Sequence, residues 1–347
     1  MSQSERHTER AADLSGFAAQ STSEVSLGFL NDAALPLVVQ PRAPTNLASW
    51  ATENAGFIRN LLNRFGGLLF RGFEVDHDTF DAFIGGTSAG ALPYTERSSP
   101  RTNVKGNIYT STDYPAEYPI FLHNEQSYNT TFPRKIYFMC VTPSVTLGAT
   151  PIADVRKVLT RLSPEVRESF QRRRYAYVRN MGGFMGMHWA DVFQTRDRAE
   201  VDAYCAKHDI VSEWLDGDQL RTRQVRDVVA RHPETGELCW FNHLTFFNVG
   251  SLPADVGELL LDAVGEFDLP NHTFYGDGGS IEPHVMDELR SAYEAESVSF
   301  EWTAGDVLML DNMLVAHGRQ SFTGERRVVT GLADPIEWRA VRANPAA

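Results

Sequence analysis

The chain has 347 residues, of which 42% are hydrophobic, so it has enough apolar material for a sizeable core. Its formal net charge of −13 disfavours a nucleic-acid groove or an anionic membrane surface as a partner. No apolar run approaches the ~18 residues that a membrane helix needs. The 3 cysteines are widely separated and form no CxxC pair, which argues against a disulfide framework and for a reducing, cytoplasmic location.

The first 25 residues are polar and lack periodicity, so we expect a flexible tail over residues 1–25 and one domain over residues 26–340. Apolar residues at helical spacing predict a helix over residues 45–65 that stops at the glycine pair Gly66-Gly67. Four further helices are expected at 163–174, 198–208, 253–266 and 284–296. Strands are expected at 68–70, 135–141, 298–302 and 307–310.

The order of these elements bears on the fold class. Strands are scattered without a regular alternation of strand and helix, and no glycine-rich phosphate loop is present. A doubly wound nucleotide-binding fold is therefore disfavoured. We predict a mainly β fold, a sandwich or barrel with helices packed on its outside.

The most informative segment is His123-Asn124-Glu125. If this segment is extended, side chains two apart point to the same face, so His123 and Glu125 converge while Asn124 faces away. An imidazole and a carboxylate held in this way are two legs of a facial metal site. The pattern is short and occurs by chance, so ordinary surface or core residues remain the alternative interpretation.

A third ligand is needed, and His317 has the most telling surroundings. A buried apolar strand leads to it, and a strand that begins with Arg326 and Arg327 follows about ten residues later. Two histidines and one carboxylate leave half of the coordination sphere open, as in non-haem Fe(II) oxygenases, and an arginine offers a dicarboxylate a bidentate contact. We expect the remaining histidines to be solvated, except that two could line a pocket: solvated His7, His77, His208, His232, His272 and His284; pocket-lining His188 and His243.

With these residues in place, the chain resembles the Fe(II)/2-oxoglutarate-dependent dioxygenases of the taurine dioxygenase and clavaminate synthase type. The resemblance spans roughly residues 65–335 and depends on five segments in order: 67–73, 123–125, 148–154, 311–317 and 326–327. It implies a double-stranded β-helix (jelly-roll) core and a need for Fe(II), 2-oxoglutarate and O2.

The resemblance also implies roles for single residues. His123, Glu125 and His317 would be the iron ligands and hence the catalytic centre. Thr150 and Arg327 would bind the distal carboxylate of 2-oxoglutarate. Arg326 is the alternative to Arg327, because the two face opposite sides of one strand and only one can point inward.

The resemblance narrows the substrate class as well. Segments 94–112 and 240–243 are similar to the natural-product branch, whose members hydroxylate amino acids that are free or carried as thioesters on a peptidyl carrier protein. We therefore expect hydroxylation of an aliphatic C–H bond in an amino-acid-like intermediate of antibiotic biosynthesis. Glu125 disfavours halogenation, because halogenating relatives lack this carboxylate. Gly331 stands where many sulfonate-oxidising relatives carry an arginine, which disfavours a taurine-like substrate.

The two forms of substrate need different surfaces. A free amino acid needs charged partners, for which Glu96, Arg97 and Arg101 are candidates. A carrier-tethered substrate needs a docking face, for which the basic run 172–174 is a candidate.

Several other interpretations stay open at this point. The same fold can desaturate, epimerise or cyclise a small scaffold instead of hydroxylating it. A non-catalytic binding protein with a vestigial metal site and a zinc hydrolase are alternatives from other classes. Among the flanking residues, Arg71 is expected to pair with a buried carboxylate, Trp240 and Phe241 to be core or pocket wall, and the three cysteines to be packing residues.

Overall fold

The computed structural model describes residues 24–30, 34–90, 103–105, 108–110, 114–183 and 186–343. The expected tail lies outside these residues except for Glu24 and Val25, and Val25 is fully buried at the start of the first strand. Glu96, Arg97 and Arg101 also lie outside the described residues. Within the described part of the chain, no helix is both long and apolar enough to cross a membrane.

The described residues are mainly β. Their strands are β1 (Val25–Phe29), β2 (Leu37–Pro41), β3 (Gly67–Phe70), β4 (Asn103–Lys105), β5 (Ile108–Thr110), β6 (Ile120–His123), β7 (Thr131–Thr142), β8 (Thr146–Leu147), β9 (Ile152–Asp154), β10 (Tyr175–Met181), β11 (Ile210–Leu215), β12 (Gln219–Arg226), β13 (Val229–Arg231), β14 (Leu238–Trp240), β15 (Asn271–Tyr275), β16 (Ser297–Val298), β17 (Val307–Asp311), β18 (Val315–Arg319), β19 (Phe322–Thr323) and β20 (Arg327–Glu337).

Helices flank these strands. They are α1 (Leu47–Glu53), α2 (Ala55–Phe65), α3 (His77–Thr87), α4 (Val155–Arg161), α5 (Pro164–Arg173), α6 (Trp189–Phe193), α7 (Arg198–Lys207), α8 (Leu244–Phe247), α9 (Ala254–Val264) and α10 (Pro283–Glu296). Three short 3-10 turns lie at Val249–Ser251, Glu266–Asp268 and Trp338–Ala340.

Two sheets are central to the fold. The larger has eight strands in the order β1-β2-β3-β17-β7-β20-β5-β4, and it is mixed because β2 and β3 are parallel. The smaller is antiparallel, with the order β16-β9-β18-β6. Residues of both sheets, such as Ile136 of β7 and Ile152 of β9, belong to one buried hydrophobic cluster. The mainly β class with flanking helices is therefore confirmed.

Most of the predicted elements are present, with two corrections. The helix expected over 45–65 is two helices, because the chain breaks at Asn54, whose side-chain amide donates to the Trp50 carbonyl at 2.9 Å. The strand expected over 298–302 is wrong for most of its length. Only Ser297–Val298 pairs with β9, although Phe300 and Trp302 are buried and so produced the alternating pattern.

A further antiparallel sheet, β11-β12-β10-β15, was not expected from the sequence. Its strand β12 reads QLRTRQVR, and burial alternates strictly along it. The outward positions are long and polar, so the strand lacks the apolar alternation that a half-buried strand usually has.

The flanking residues behave largely as expected. Arg71 forms a bidentate ion pair with the buried Asp306, at 3.0 and 2.6 Å. Trp240 and Phe241 are fully buried in the core. All three cysteines are unpaired and buried, as packing residues should be.

Candidate metal centre

Two of the three predicted metal ligands are neighbours in one sheet. His123 is the last residue of β6, and His317 lies in the middle of β18, where it is the direct cross-strand partner of His123. Their ring centroids are 4.5 Å apart. His123 Nδ1 donates a hydrogen bond of 2.9 Å to the Phe121 carbonyl. A carbonyl only accepts, so this bond fixes the tautomer that leaves Nε2 free of its proton and able to bind a metal.

Glu125 reaches the same point by a turn and not by a continuing strand. Strand β6 ends at His123, and Glu125 lies in the turn that follows. The Glu125 main-chain N–H donates to Asn312 Oδ1 at 2.8 Å, while Asn312 Nδ2 donates to the Glu125 carbonyl at 2.9 Å. Asn312 Nδ2 also donates to the Pro133 carbonyl at 2.7 Å. The fully buried Asn312 side chain therefore clamps the turn that presents Glu125.

The residue before this clamp is held by buried charges. Asp311, at the end of β17, is fully buried, accepts a 3.0 Å hydrogen bond from His232 Nε2 and lies 3.3 Å from Arg134 Nε. Burial works against ionisation of Asp311. The hydrogen bond and charge of His232 and the charge of Arg134 outweigh it, so the pKa of this carboxyl is lowered.

Two histidine predictions are therefore wrong. His232 and His272 were expected to be solvated, yet both are buried, and each lies about a hydrogen bond from a carboxylate, 3.0 Å from Asp311 and 3.1 Å from Glu266. His284 is exposed, as expected. The signal that would have found the His232 contact is Asp311 itself, since a carboxylate at the end of a buried apolar strand requires a partner.

The three predicted ligands come together. One ligand atom from each of His123, Glu125 and His317 lies within 4.8 Å of the other two, and His317 Nε2 is 3.9 Å from Glu125 Oε2. Two imidazole nitrogens and one carboxylate suit Fe(II) and leave coordination positions open for small molecules. Within the described part of the chain, this is the group of residues that could hold a metal ion.

Aromatic rings support the first histidine. His243 is completely buried, with its ring centroid 5.1 Å from that of His123. Burial first, and then the charge of His123, lower the His243 pKa well below its usual value, so His243 is neutral. Ser127 Oγ donates to the Asn124 carbonyl at 2.9 Å and therefore accepts from His243 Nδ1 at 2.9 Å. His243 thus contacts both the first ligand and the turn that carries the second.

A cavity adjoins the two histidines, and it is basic. Phe138, Thr150, Val328 and Thr330 line it, together with Arg319 and Arg326, and none of its described lining residues is acidic. Arg326 Nη2 donates to Thr150 Oγ1 at 3.3 Å, and Arg326 Nε donates to the Gly148 carbonyl at 2.8 Å. Burial, followed by repulsion from Arg319, lowers the pKa of Arg326 to about 10, so the group is still charged at neutral pH. The cavity is therefore suited to an anion.

The expectation that Arg327 points inward is wrong by one residue. Arg327 is exposed at the start of β20, whereas Arg326 lines the cavity. A register irregularity between Arg327 and Val328 interrupts the pairing of β20 with β7. Arg326, Val328 and Thr330 all line the cavity, so the inward face of this segment holds the even-numbered residues.

Arg319 is a cavity residue to which the sequence analysis assigned no role. It lies two residues after His317 on β18, and residues two apart on a strand share a face, which was the available signal. Its guanidinium donates to the carbonyls of Tyr114, Pro115 and Tyr118, at 2.9, 2.6 and 2.9 Å. His188, in contrast, lies away from the metal centre, where it caps α6.

This geometry agrees with the comparisons with known proteins. Residues 33–333 match the family model described as the taurine catabolism dioxygenase TauD, TfdA family. The chain belongs to this family. It is a 2-oxoglutarate-dependent non-haem iron dioxygenase, an oxidoreductase that uses Fe(II), 2-oxoglutarate and O2.

Individual relatives extend this result. The chain is 38% identical to the dapdiamide synthesis protein DdaC of Enterobacter agglomerans over 289 residues, which cover 83% of this chain and 88% of that protein. It is 26% identical to a clavaminate synthase-like protein of Arabidopsis thaliana over 287 residues, with coverages of 80% and 84%.

Solved structures share the fold at low identity. PvcB from Pseudomonas aeruginosa is 16% identical, with a TM-score of 0.53 and coverages of 93% and 98%. AAD-2, in complex with Mn(II) and N-oxalylglycine, is 12% identical, with a TM-score of 0.52 and coverages of 93% and 99%.

Proposed function

We propose that this dioxygenase hydroxylates an aliphatic C–H bond of an amino acid or of an amino-acid-derived intermediate in natural-product biosynthesis. The observation that carries the proposal is the convergence of His123, Glu125 and His317 beside a cavity that holds Arg326 and Thr150. The likeness to DdaC, which is named for dapdiamide synthesis, supports a biosynthetic substrate over a sulfonate nutrient.

His123, Glu125 and His317 would bind Fe(II), whose role is to activate O2 while 2-oxoglutarate is oxidatively decarboxylated. Arg326 would hold the distal carboxylate of 2-oxoglutarate, because its guanidinium reaches the cavity and is charged there. Thr150 Oγ1 already accepts from Trp302 Nε1 at 3.1 Å and from Arg326, so its own O–H is available to that carboxylate. Arg319 would add a second positive charge opposite a doubly charged co-substrate.

The protein also has to keep water from the reacting atoms. The His317 ring packs against Phe138 with centroids 5.1 Å apart, and the His123 ring packs against Phe246 at 4.7 Å. These rings cover the two imidazoles with apolar surface. We infer that the substrate carbon is positioned against this wall, where an unactivated C–H bond can react without competing solvent.

Four broader predictions from the sequence are also proposals. The jelly-roll core is supported by the two packed sheets and by likeness to solved oxygenase folds. One catalytic domain over 26–340 is supported by the family match over 33–333. A cytoplasmic location is supported by three buried, unpaired cysteines. A peptidyl carrier protein is proposed as a partner only if the substrate is tethered.

The test is mass spectrometry after incubation with Fe(II), 2-oxoglutarate and a panel of amino acids, each supplied free and loaded on a carrier protein. A gain of one oxygen on any member supports the proposal, and the form that reacts shows whether a carrier is the partner. A loss of two hydrogens or an isomeric product would assign desaturation, cyclisation or epimerisation instead. Turnover only with a sulfonate, an aryloxy acid or a nucleoside would overturn the substrate class.

A further inference from the structure

A second cavity, of about 300 Å³, lies outside the metal centre. Thr130 and Trp338 line it, and Trp338 Nε1 donates to the Ser127 carbonyl at 2.7 Å. One wall is therefore formed by residues that hold the back of the turn carrying Glu125. None of the three proposed iron ligands lines this cavity. It is a separate site in the fold.

This cavity is basic, although the chain as a whole carries a net charge of −13. Its described lining has four arginines and two aspartates, so positive groups outnumber negative ones by two: Arg174, Arg223, Arg226, Arg342, Asp209 and Asp227. Arg342 and Asp227 approach each other at 3.6 Å. The excess positive charge indicates an anionic ligand.

Arg226 forms the floor of the site. Only 7% of the residue is exposed, and its guanidinium donates to the main-chain carbonyls of Tyr128, Val225, Asp209 and His208 and to Gln224 Oε1. These acceptors are all uncharged, so the bonds satisfy the N–H groups without neutralising the charge. A fixed, buried cation therefore lies under the cavity.

Arg174 provides a second, independent observation. Its backbone has φ 58° and ψ −164°, a conformation that is essentially restricted to glycine. The Phe170 carbonyl accepts from its N–H at 2.7 Å, and its carbonyl accepts from the Gly276 N–H at 3.2 Å, which holds this conformation. Among the described residues, its guanidinium makes no ion pair or hydrogen bond. An arginine at a glycine position, with its side chain at a basic cavity, indicates that the cation has a role there.

The cavity continues into an apolar groove of about 180 Å³ on the open face of the sheet β11-β12-β10-β15. Val211 and Arg223 line both spaces. In the groove, the rings of Phe267 and Phe274 are stacked with centroids 4.9 Å apart, and Val211 is 65% exposed. The combined surface offers positive charge at one end and apolar contact at the other.

We propose that this surface is a second ligand site, which binds the phosphate or carboxylate group of a small molecule whose apolar part lies in the groove. Arginine guanidinium groups recognise both anions through charge-assisted hydrogen bonds. The site does not depend on which substrate the iron centre oxidises.

Isothermal titration calorimetry of the full-length protein with Fe(II) bound, under argon, tests this proposal. The probes are inorganic phosphate, hexyl phosphate and hexanoate. Hexyl phosphate should bind more tightly than inorganic phosphate, because the hexyl chain can occupy the groove. Comparison of hexyl phosphate with hexanoate then shows which anion the site prefers.

Variants separate the two parts of the surface. Arg342→Gln and Arg174→Gly should each weaken binding about tenfold or more, as expected for loss of a charged hydrogen-bonding partner. Glycine suits the backbone at position 174, so Arg174→Gly should not lower the melting temperature. Val211→Ser should weaken hexyl phosphate but leave inorganic phosphate unchanged.

Two matched controls complete the experiment. Arg290→Gln removes one charge from α10, and Arg326→Ala removes the arginine of the iron-site cavity. Neither should change the affinity for hexyl phosphate by more than about twofold, since surface substitutions away from a site have small effects. Absence of binding to wild type by all three probes would overturn the proposal, and so would loss of binding only in Arg326→Ala.

Discussion

His123 and His317 are direct cross-strand partners, and their imidazole centroids lie 4.5 Å apart. Cross-strand partners have Cβ atoms about 4.5–5.5 Å apart, so strand pairing alone brings two imidazoles to one metal ion. Only the carboxylate has to be delivered separately, by the turn that Asn312 clamps. The metal centre is thus largely a consequence of β6–β18 pairing.

Substitution of any one of the proposed ligands should remove iron-dependent turnover. We expect His123→Ala, Glu125→Ala and His317→Ala each to reduce succinate formation more than about 100-fold, since loss of even an outer-shell partner costs ~10–100-fold. The exposed His284→Ala is the matched control. Circular dichroism should show an unchanged fold, and full activity in one of the three variants would remove that residue from the ligand set.

The inward orientation of Arg326 makes a ranking possible. Arg326→Ala should raise the KM for 2-oxoglutarate roughly tenfold to a hundredfold, because a charged hydrogen bond to a carboxylate contributes about 1.5–3 kcal/mol. Arg327→Ala, one residue along and exposed, should change it less than about twofold. Steady-state kinetics with 2-oxoglutarate as the varied component measures both, and the opposite ranking would contradict the register of β20.

The Asn312 clamp should contribute to stability as well as to the site. Asn312→Ala leaves three buried main-chain groups without their partner, which should lower the free energy of unfolding by about 3 kcal/mol or more. Urea unfolding measures this change, and equilibrium dialysis should show weaker Fe(II) binding. Asn312→Asp preserves shape but removes the donor, so it should resemble the alanine variant; wild-type stability in both would show that the turn holds itself.

The ion pair around Asp311 predicts an acid dependence. The folded pKa of Asp311 is lowered, so its stabilising contribution is present above the ordinary aspartate pKa of about 3.9 and is lost as pH falls through the folded value. His232, Arg134 and the buried Cys239 are the titratable or charged groups that face it.

Asp311→Asn removes that contribution. The difference in unfolding free energy between wild type and variant should therefore be largest near neutral pH and should shrink on acidification below about pH 4. Asp255→Asn, an exposed change on α9, should show no such trend. A difference that grows toward low pH would mean that the folded pKa of Asp311 is raised.

The sequence predicted the ligand set and the class of fold, because both leave local signals. His123 and Glu125 are two residues apart, and His317 follows an apolar strand whose neighbours are polar. The choice between Arg326 and Arg327 could not be made in the same way. An irregularity in strand pairing shifts the alternation, and it depends on residues of β7 that are far away in sequence.

Contacts between distant segments were equally hidden. The Asp311–His232 pair joins β17 to the turn after β13, and neither residue has a local pattern that names the other. The sheet β11-β12-β10-β15 was missed because long polar side chains occupy its outward positions. Tertiary context decided both cases, as it commonly does for polar residues in strands.

The burial of the cysteines has a consequence for an enzyme that handles O2. Cys140 on β7 is the partner of Val328, which lines the iron-site cavity. Burial, with a smaller contribution from Asp306, raises the pKa of its thiol to about 11 although Arg326 opposes the change. At neutral pH roughly one molecule in ten thousand carries the reactive thiolate. Oxidants released by turnover without substrate therefore meet an almost inert sulfur, and self-inactivation of this enzyme should begin at other side chains.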